Sequence, residues 1–296
     1  MAVTTLDTTT VLSERQWREM AAAHAERVRP WIAPRLARRQ QGRKHPVDDF
    51  LFDYYAWRPG QLARWHPGMG VLLTGNVEEF TSVRGYVVDA DGARVDEQRL
   101  PLQVMRTALA LLHATASRPA AFHCFGRHEW AMVYRLEPDA IRHSAWPLRL
   151  DPNAIDEVVE SSPLRCTHID AFRFYTDAAR PLNVIQPTRE TQIDLEQPGC
   201  LHATMDLYKW SFRCYPAIGA ELTADCFELA RRVRMVDMRA SPYDFTALGY
   251  EPIRIETAEG RAEYVEHQRA FAAEAAPLRE RLTASLTATL GEGVGP

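Results

Sequence analysis

The chain has 296 residues, enough for one large domain or two modest ones with a real core, and 46% hydrophobic with 25% charged residues is the composition of an ordinary globular protein. A formal net charge of −4 disfavours duplex DNA as the main partner, because a DNA binder usually carries a basic surplus to displace counterions. No run approaches the roughly 18 to 20 apolar residues of a membrane span, and MAVTTLDTTTVLSERQW lacks the layout of a signal peptide, so a cytoplasmic protein is expected.

In chain order, residues 1–12 are Thr-rich and read as a frayed tail, leaving 13–290 as a single catalytic domain. Ser13 is placed to cap an amphipathic helix over 13–29. The basic stretch from Arg35 to Lys44 is either a phosphate clamp or a solvated helix end. Aromatic residues crowd 50–57 and 62–68; Tyr54, Tyr55 and Trp65 either form a slot for a planar ring or belong to the core. Short β-like runs at 71–73 and 83–88 lead to the turn Asp89–Gly92, and a helix is expected over 99–117. Residues 165–175 alternate like a strand. Helices follow at about 200–215, stopped by Pro216, and at 222–238; then come a polar loop at 237–244, a strand at 253–257 and a long helix over 259–289 bent near Pro277. The class is α+β: a helix-rich single domain with a small mixed or antiparallel sheet.

Three segments could carry chemistry: the first runs from His123 to Trp130, the second from Cys166 to Asp170 and the third from Cys200 to Asp206. Each contains a cysteine, a histidine and an acid. On a strand, His168 and Asp170 would share a face, and an imidazole from elsewhere, His202 or His128, would complete a 2-His-1-carboxylate site of the kind that holds Fe(II). Glu129 and Asp206 would orient ligands or carry protons. Zinc with Cys166 as a thiolate ligand, or no metal at all, with His168 and Asp170 simply hydrogen-bonded in a polar core, are the other readings. The five cysteines include no CxxC pair and read as free thiols in a reducing compartment.

Only two of the 35 basic residues are lysines, Lys44 and Lys209. His202, Asp206, Lys209 and Arg213 fall on one helical stripe, which is either solvated or aimed into a cleft where Lys209 acts as a cation or an amine nucleophile. Arg127 is a candidate to hold substrate oxygens or a sugar.

The strings HPVDDFLFDYY, RWHPG, CFGRHEWAMVYR, CTHIDAFRFYT, QPGCLHATMDLYKW and DMRASPYDF resemble an actinobacterial family that carries the label 3-methyladenine DNA glycosylase. The chain also resembles the non-heme iron oxygenase that forms the 1,3-oxazine ring of the C-nucleoside antibiotic oxazinomycin. The second resemblance implies Fe(II), O₂ and a planar, nucleoside-like substrate. The first implies an N-glycosylase on a modified base or nucleoside, with Asp206 or Asp170 stabilising an oxocarbenium ion or activating water. The expected function is therefore an iron-dependent oxygenase acting on an electron-rich heteroaromatic ring, with the glycosylase as the alternative. Both are compatible with a homodimer.

Overall fold

The structure is a computed structural model that describes residues 9–141 and 145–291. It is α+β: helices dominate, with one small four-stranded mixed sheet. The described residues group into two compact units. One holds the residues up to Leu109, Tyr208–Glu228 and those from Glu280 onward; the other holds Ala110–Leu207 and Leu229–Arg279. No linker marks the division in the sequence because each unit is assembled from non-contiguous stretches.

The first unit contains the sheet. Strand β1 (Thr10–Leu12) pairs in parallel with β2 (Val71–Leu73), β2 pairs antiparallel with β4 (Ala93–Val95), and β4 pairs with β3 (Tyr86–Val88). Thr10–Leu12 is therefore a strand and not part of a frayed tail; residues 1–8 of that expected tail lie outside the described residues. The sequence pattern misses β4, although the turn it identified at Asp89–Gly92 joins β3 to β4. Helix α1 (Glu14–Gln40) runs well past residue 29 and through Pro30 and Pro34. Its buried residues Trp17, His24, Val28 and Ile32 keep helical spacing across Pro30, so tertiary packing outweighs the missing donor. Helices α2 (Phe50–Tyr54) and α3 (Pro59–Ala63) follow. Arg35 and Arg38 near the end of α1 both reach the buried Asp49, at 3.2 and 2.5 Å. That part of the basic stretch is an internal ion-pair network and not a phosphate clamp.

The core of this unit is Trp17, Trp65, Leu73, Val77, Phe80, Val83, Tyr86, Ala93, Val95 and Ala220. A second aromatic group joins Phe52, Tyr55, Tyr208, Phe212 and Phe227, with ring centroids 5.0 to 6.3 Å apart. Burying each such ring contributes on the order of 1.5–3 kcal/mol.

The second unit is helical. It holds α5 (Arg127–Ala131), α6 (Pro152–Glu160), α7 (Ile169–Phe172) and α8 (Gln192–Leu195). Helices α4 (Leu102–Ala116), α9 (Leu201–Arg213), α10 (Ala220–Arg239) and α11 (Ala258–Leu290) contribute residues to both units. The expected strand at 253–257 has no ladder, and the expected strand at 165–175 is instead an extended lead-in to α7. Among the described residues, no helix is long and apolar enough to cross a membrane.

Candidate functional site

The site belongs to the second unit and begins at a strained turn. Phe125 (φ 51°) and Gly126 (φ 70°) are both left-handed. For a non-glycine residue such as Phe125 that conformation costs about 1–2 kcal/mol. A side chain on Gly126 would press within 3.1 Å of the Tyr264 ring. The turn starts α5 and leaves Cys124 Sγ 3.4 Å from His128 Nδ1. Trp130, fully buried, donates from Nε1 to the carbonyl of Ala240 at 2.8 Å and so fixes α5 against the end of α10.

Asp237 lies one turn before that anchor. Its Oδ1 is 3.0 Å from His128 Nε2. Its Oδ2 accepts from an Arg234 terminal nitrogen at 3.1 Å, and the same nitrogen donates to Glu129 at 2.8 Å. The His202 ring, near the start of α9, stands with its centroid 4.7 Å from that of His128. One ligand atom from each of His128, His202 and Asp237 lies within 4.8 Å of the other two.

The electrostatics of this group are those of a buried ionic cluster. Burial works against charging His128, but the carboxylate of Asp237 and the sulfur of Cys124 outweigh it and hold the ring well above the ordinary imidazole pKa. Burial raises Asp237 and Cys124, and His128 more than offsets this and lowers both. His202 is pushed down to about 3 by burial and then by the neighbouring His128, so it stays neutral with a lone pair to give.

One geometric feature separates an ion pair from a ligand set. His128 Nε2 and Asp237 Oδ1 are both buried and approach to 3.0 Å, yet neither makes a directed hydrogen bond. At 3.0 Å the two atoms still attract as an ion pair, so what the arrangement lacks is the directed hydrogen bond alone. Two donors each about 2.1 Å from one ion and at right angles to each other are about 3.0 Å apart. The spacing and the orphaned atoms therefore fit a cation held by His128, His202 and Asp237. Arg234 occupies the far oxygen of Asp237, and the Cys124 sulfur faces the far nitrogen of His128, so both side chains have their outward atoms oriented.

A second group adjoins it. His168 Nε2 lies 2.9 Å from Glu196 Oε1 and 3.4 Å from Asp206 Oδ2, and the His168 ring centroid is 5.4 Å from that of His202. His168 caps α7: its Nδ1 accepts the Asp170 backbone N–H at 3.2 Å. His168 Nε2 likewise makes no directed hydrogen bond, and His168, Glu196 and Asp206 form a second group whose ligand atoms lie within 4.8 Å of one another; the Asp170 N–H on Nδ1 leaves a neutral ring its proton on Nε2, which favours proton holding over ligation. Burial opposes charging this ring, and Glu196 and Asp206 outweigh it.

Of the sequence candidates, His128, His168, His202, Asp206 and Glu129 converge here. Asp170 does not: its carboxylate pairs with Arg189 and with Arg173 Nε at 3.5 Å, and it is turned by a helix and not by a strand. Cys166 joins neither group of possible metal ligands among the described residues, and burial lifts its thiol to about 11. Arg127 spends both terminal nitrogens on the carbonyls of Ser162 and Pro163, at 2.7 and 2.9 Å. Tyr55 and Trp65 are buried in the first unit, where Trp65 donates to Glu221, and Tyr54 stacks on Phe50 there. Lys209 belongs to the first unit as well, with its ammonium 5.0 Å from the Trp210 ring. The polar stripe of α9 is therefore not solvated at Asp206 and Lys209, which are 2% and 8% exposed. Asp237, Glu196 and Arg234 were missed. The one signal for Arg234 and Asp237 is an Arg-x-x-Asp pair inside the otherwise apolar stretch Val233–Met238 of a long helix, and Glu196 has none.

Beside the site is a cavity of about 110 Å³ whose walls include Cys124, His128, Cys166, Cys200, His202, Tyr264 and Gln268, all from the second unit. That is of the order of one six-membered ring, since a cavity of about 150 Å³ holds benzene. Compared with protein-family models, curated proteins and solved structures, the chain finds no match.

Proposed function

We propose that this chain is a metal-dependent oxygenase that acts on a single planar, electron-rich ring, with Fe(II) held by His128, His202 and Asp237. The observation that carries the reading is the orphaned pair of buried atoms, His128 Nε2 and Asp237 Oδ1. A carboxylate and two imidazoles without a thiolate favour iron of the facial-triad type over structural zinc. When bound by these residues, iron would supply the activation of O₂.

The remaining roles fall to the protein. Arg234 and Glu129 fix the Asp237 carboxylate, and Cys124 fixes the His128 ring. The cavity holds one ring against His202. His168, with Glu196 and Asp206, holds a proton beside the site. The resemblance to the oxazine-forming oxygenase supports a nucleoside as the substrate, its ring inside the cavity and its sugar toward the exposed Arg165 at the wall. Five free thiols fit a reducing cytoplasm.

Elemental analysis of anaerobically purified protein tests this. About one iron per chain is expected, lost together with O₂ consumption in His128→Ala and His202→Ala. Folded protein that binds no metal, or activity that survives chelation, would refute it, and the latter result would favour the N-glycosylase alternative.

A second reading rests on the 3.4 Å approach of Cys124 Sγ to His128 Nδ1. Cys124, His128 and Asp237 could work as a thiol nucleophile, its proton acceptor and the orienting carboxylate. Against it, a directed His128–Asp237 hydrogen bond would be required, and that bond is the one not made. Cys124→Ser decides: the metal reading expects a reduction of about 10- to 100-fold in metal affinity or activity, and the thiol reading expects complete loss with metal binding unaffected.

A further inference from the structure

The helix α11 buries one stripe in the second unit: Tyr264, Gln268, Phe271 and Ala275, spaced four, three and four residues apart. The spacing calls for an apolar side chain at 268, and the sequence places an amide there, 1% exposed. A buried amide is costly unless its hydrogen bonds are made. Gln268 makes one side of them only. Its Nε2 donates to the Gly199 carbonyl at 3.0 Å, and its Oε1 has no partner. The amide cannot be turned round, because that would set the carbonyl oxygen against another carbonyl oxygen. Gly199 is itself held in place: a side chain on it would strike the Ala121 carbonyl at 2.5 Å.

The other amide in the cavity wall behaves differently. Gln197 accepts from the backbone N–H groups of Ala121 and Gly199 at 2.8 and 2.7 Å and donates to the Ala121 carbonyl at 3.1 Å. It is fully used in holding the wall. Gln268 therefore offers a fixed acceptor without a protein partner, in the wall of a cavity the size of one ring.

We infer that Gln268 is a specificity-determining residue: the ring bound in this cavity presents an N–H donor to Gln268 Oε1, so the substrate is a lactam-like or imide-like heterocycle and not a carbocycle or a ring with oxygen at that edge. The inference rests on the cavity being the substrate site of the oxygenase reading. A site built around such an acceptor discriminates against an isostere that lacks the donor, since that isostere leaves the acceptor buried and unpaired.

The probes are 2-pyridone and 2-pyrone, rings of nearly the same size and shape that differ by N–H against O. Their binding to the purified protein is measured by calorimetry, both as the metal-loaded protein and after chelation. 2-Pyridone is expected to bind on the order of 10- to 100-fold more tightly than 2-pyrone. Gln268→Leu should remove that preference while metal content stays at the wild-type value. Equal binding of the two rings, no binding of 2-pyridone at millimolar concentration, or a preference that persists in Gln268→Leu overturns the inference. The comparison of the two rings on the wild-type protein decides even if the variant fails to fold. Metal content is read separately, so loss of the iron assignment and loss of the donor assignment are distinguishable.

Discussion

Replacing Asp237 with asparagine tests the ligand set without changing the size of the side chain. One oxygen of Asp237 faces His128 and the other accepts from Arg234. An asparagine must either turn its NH₂ toward the metal position or set it against the guanidinium, donor against donor. Both arrangements remove the only anionic ligand of the three or displace it. Loss of outer-shell partners typically costs 10- to 100-fold in metal affinity, so loss of the carboxylate itself should exceed roughly 100-fold. The fold should tolerate the change, because Arg234 keeps its bond to Glu129 at 2.8 Å; the cost to the metal-free protein should be about 1–3 kcal/mol for one lost charged hydrogen bond. The assay is competition for Fe(II) against a chelator of known affinity, with urea unfolding as the control for folding. Asp170→Asn, whose carboxylate serves Arg189 and Arg173, should leave metal affinity unchanged. If Asp237→Asn binds Fe(II) as tightly as wild type, or if Asp170→Asn loses it, the assignment is wrong.

Three other predictions concern the fold. His66 is buried and its pKa is pushed down to about 3, first by burial and then by His24. It stays neutral when folded and takes up a proton when unfolded, so its contribution to stability is complete above pH 6.5 and declines as pH falls toward 3, by up to about 1.4 kcal/mol per pH unit. Urea midpoints measured between pH 7.5 and 5 should show this slope, and His66→Phe should flatten it. Arg127→Leu should destabilise the protein by about 1–3 kcal/mol by abandoning the carbonyls of Ser162 and Pro163, with KM unchanged; a raised KM would restore Arg127 as a substrate ligand. Gly199→Ala places a methyl 2.5 Å from the Ala121 carbonyl and should cost about 1–3 kcal/mol in urea unfolding, together with a loss of 2-pyridone binding as Gln268 loses its anchor.

What the sequence made legible was set by periodicity. The segments of α9 and α10 carry a 3.6-residue pattern strong enough to be placed within a few residues, α11 is placed by its Ala-, Glu- and Arg-rich composition, and the turn Asp89–Gly92 names its own hairpin. The short helices were not legible. Residues 165–175 alternate in polarity as a strand would, but His168 accepts the Asp170 N–H and starts a single helical turn that no local preference announces. That one hydrogen bond redirects the Asp170 carboxylate to Arg189 and removes it from the site. The same bond occupies the His168 nitrogen that would have to carry the proton if Nε2 were a ligand.

The convergence of histidines was legible and their partner was not, for a reason in the charges. Histidine and cysteine are few, so three clusters of them stand out; acids are common, and the sequence offers 39 of them. Proximity along the chain favours Glu129, one residue from His128, yet its carboxylate turns to Arg234 and acts through it. Asp237 lies 109 positions away and meets His128 only because Trp130 ties α5 to the Ala240 carbonyl at the end of α10. A buried arginine shared between two carboxylates fixes which oxygen is left over, and the oxygen left over is the one that faces His128. Gln268 in the cavity wall shows the same pattern, one amide atom bonded and the other held back. In both places the proposed role falls to an atom that the fold leaves without a hydrogen-bond partner, and that property exists only once every other hydrogen bond has been made.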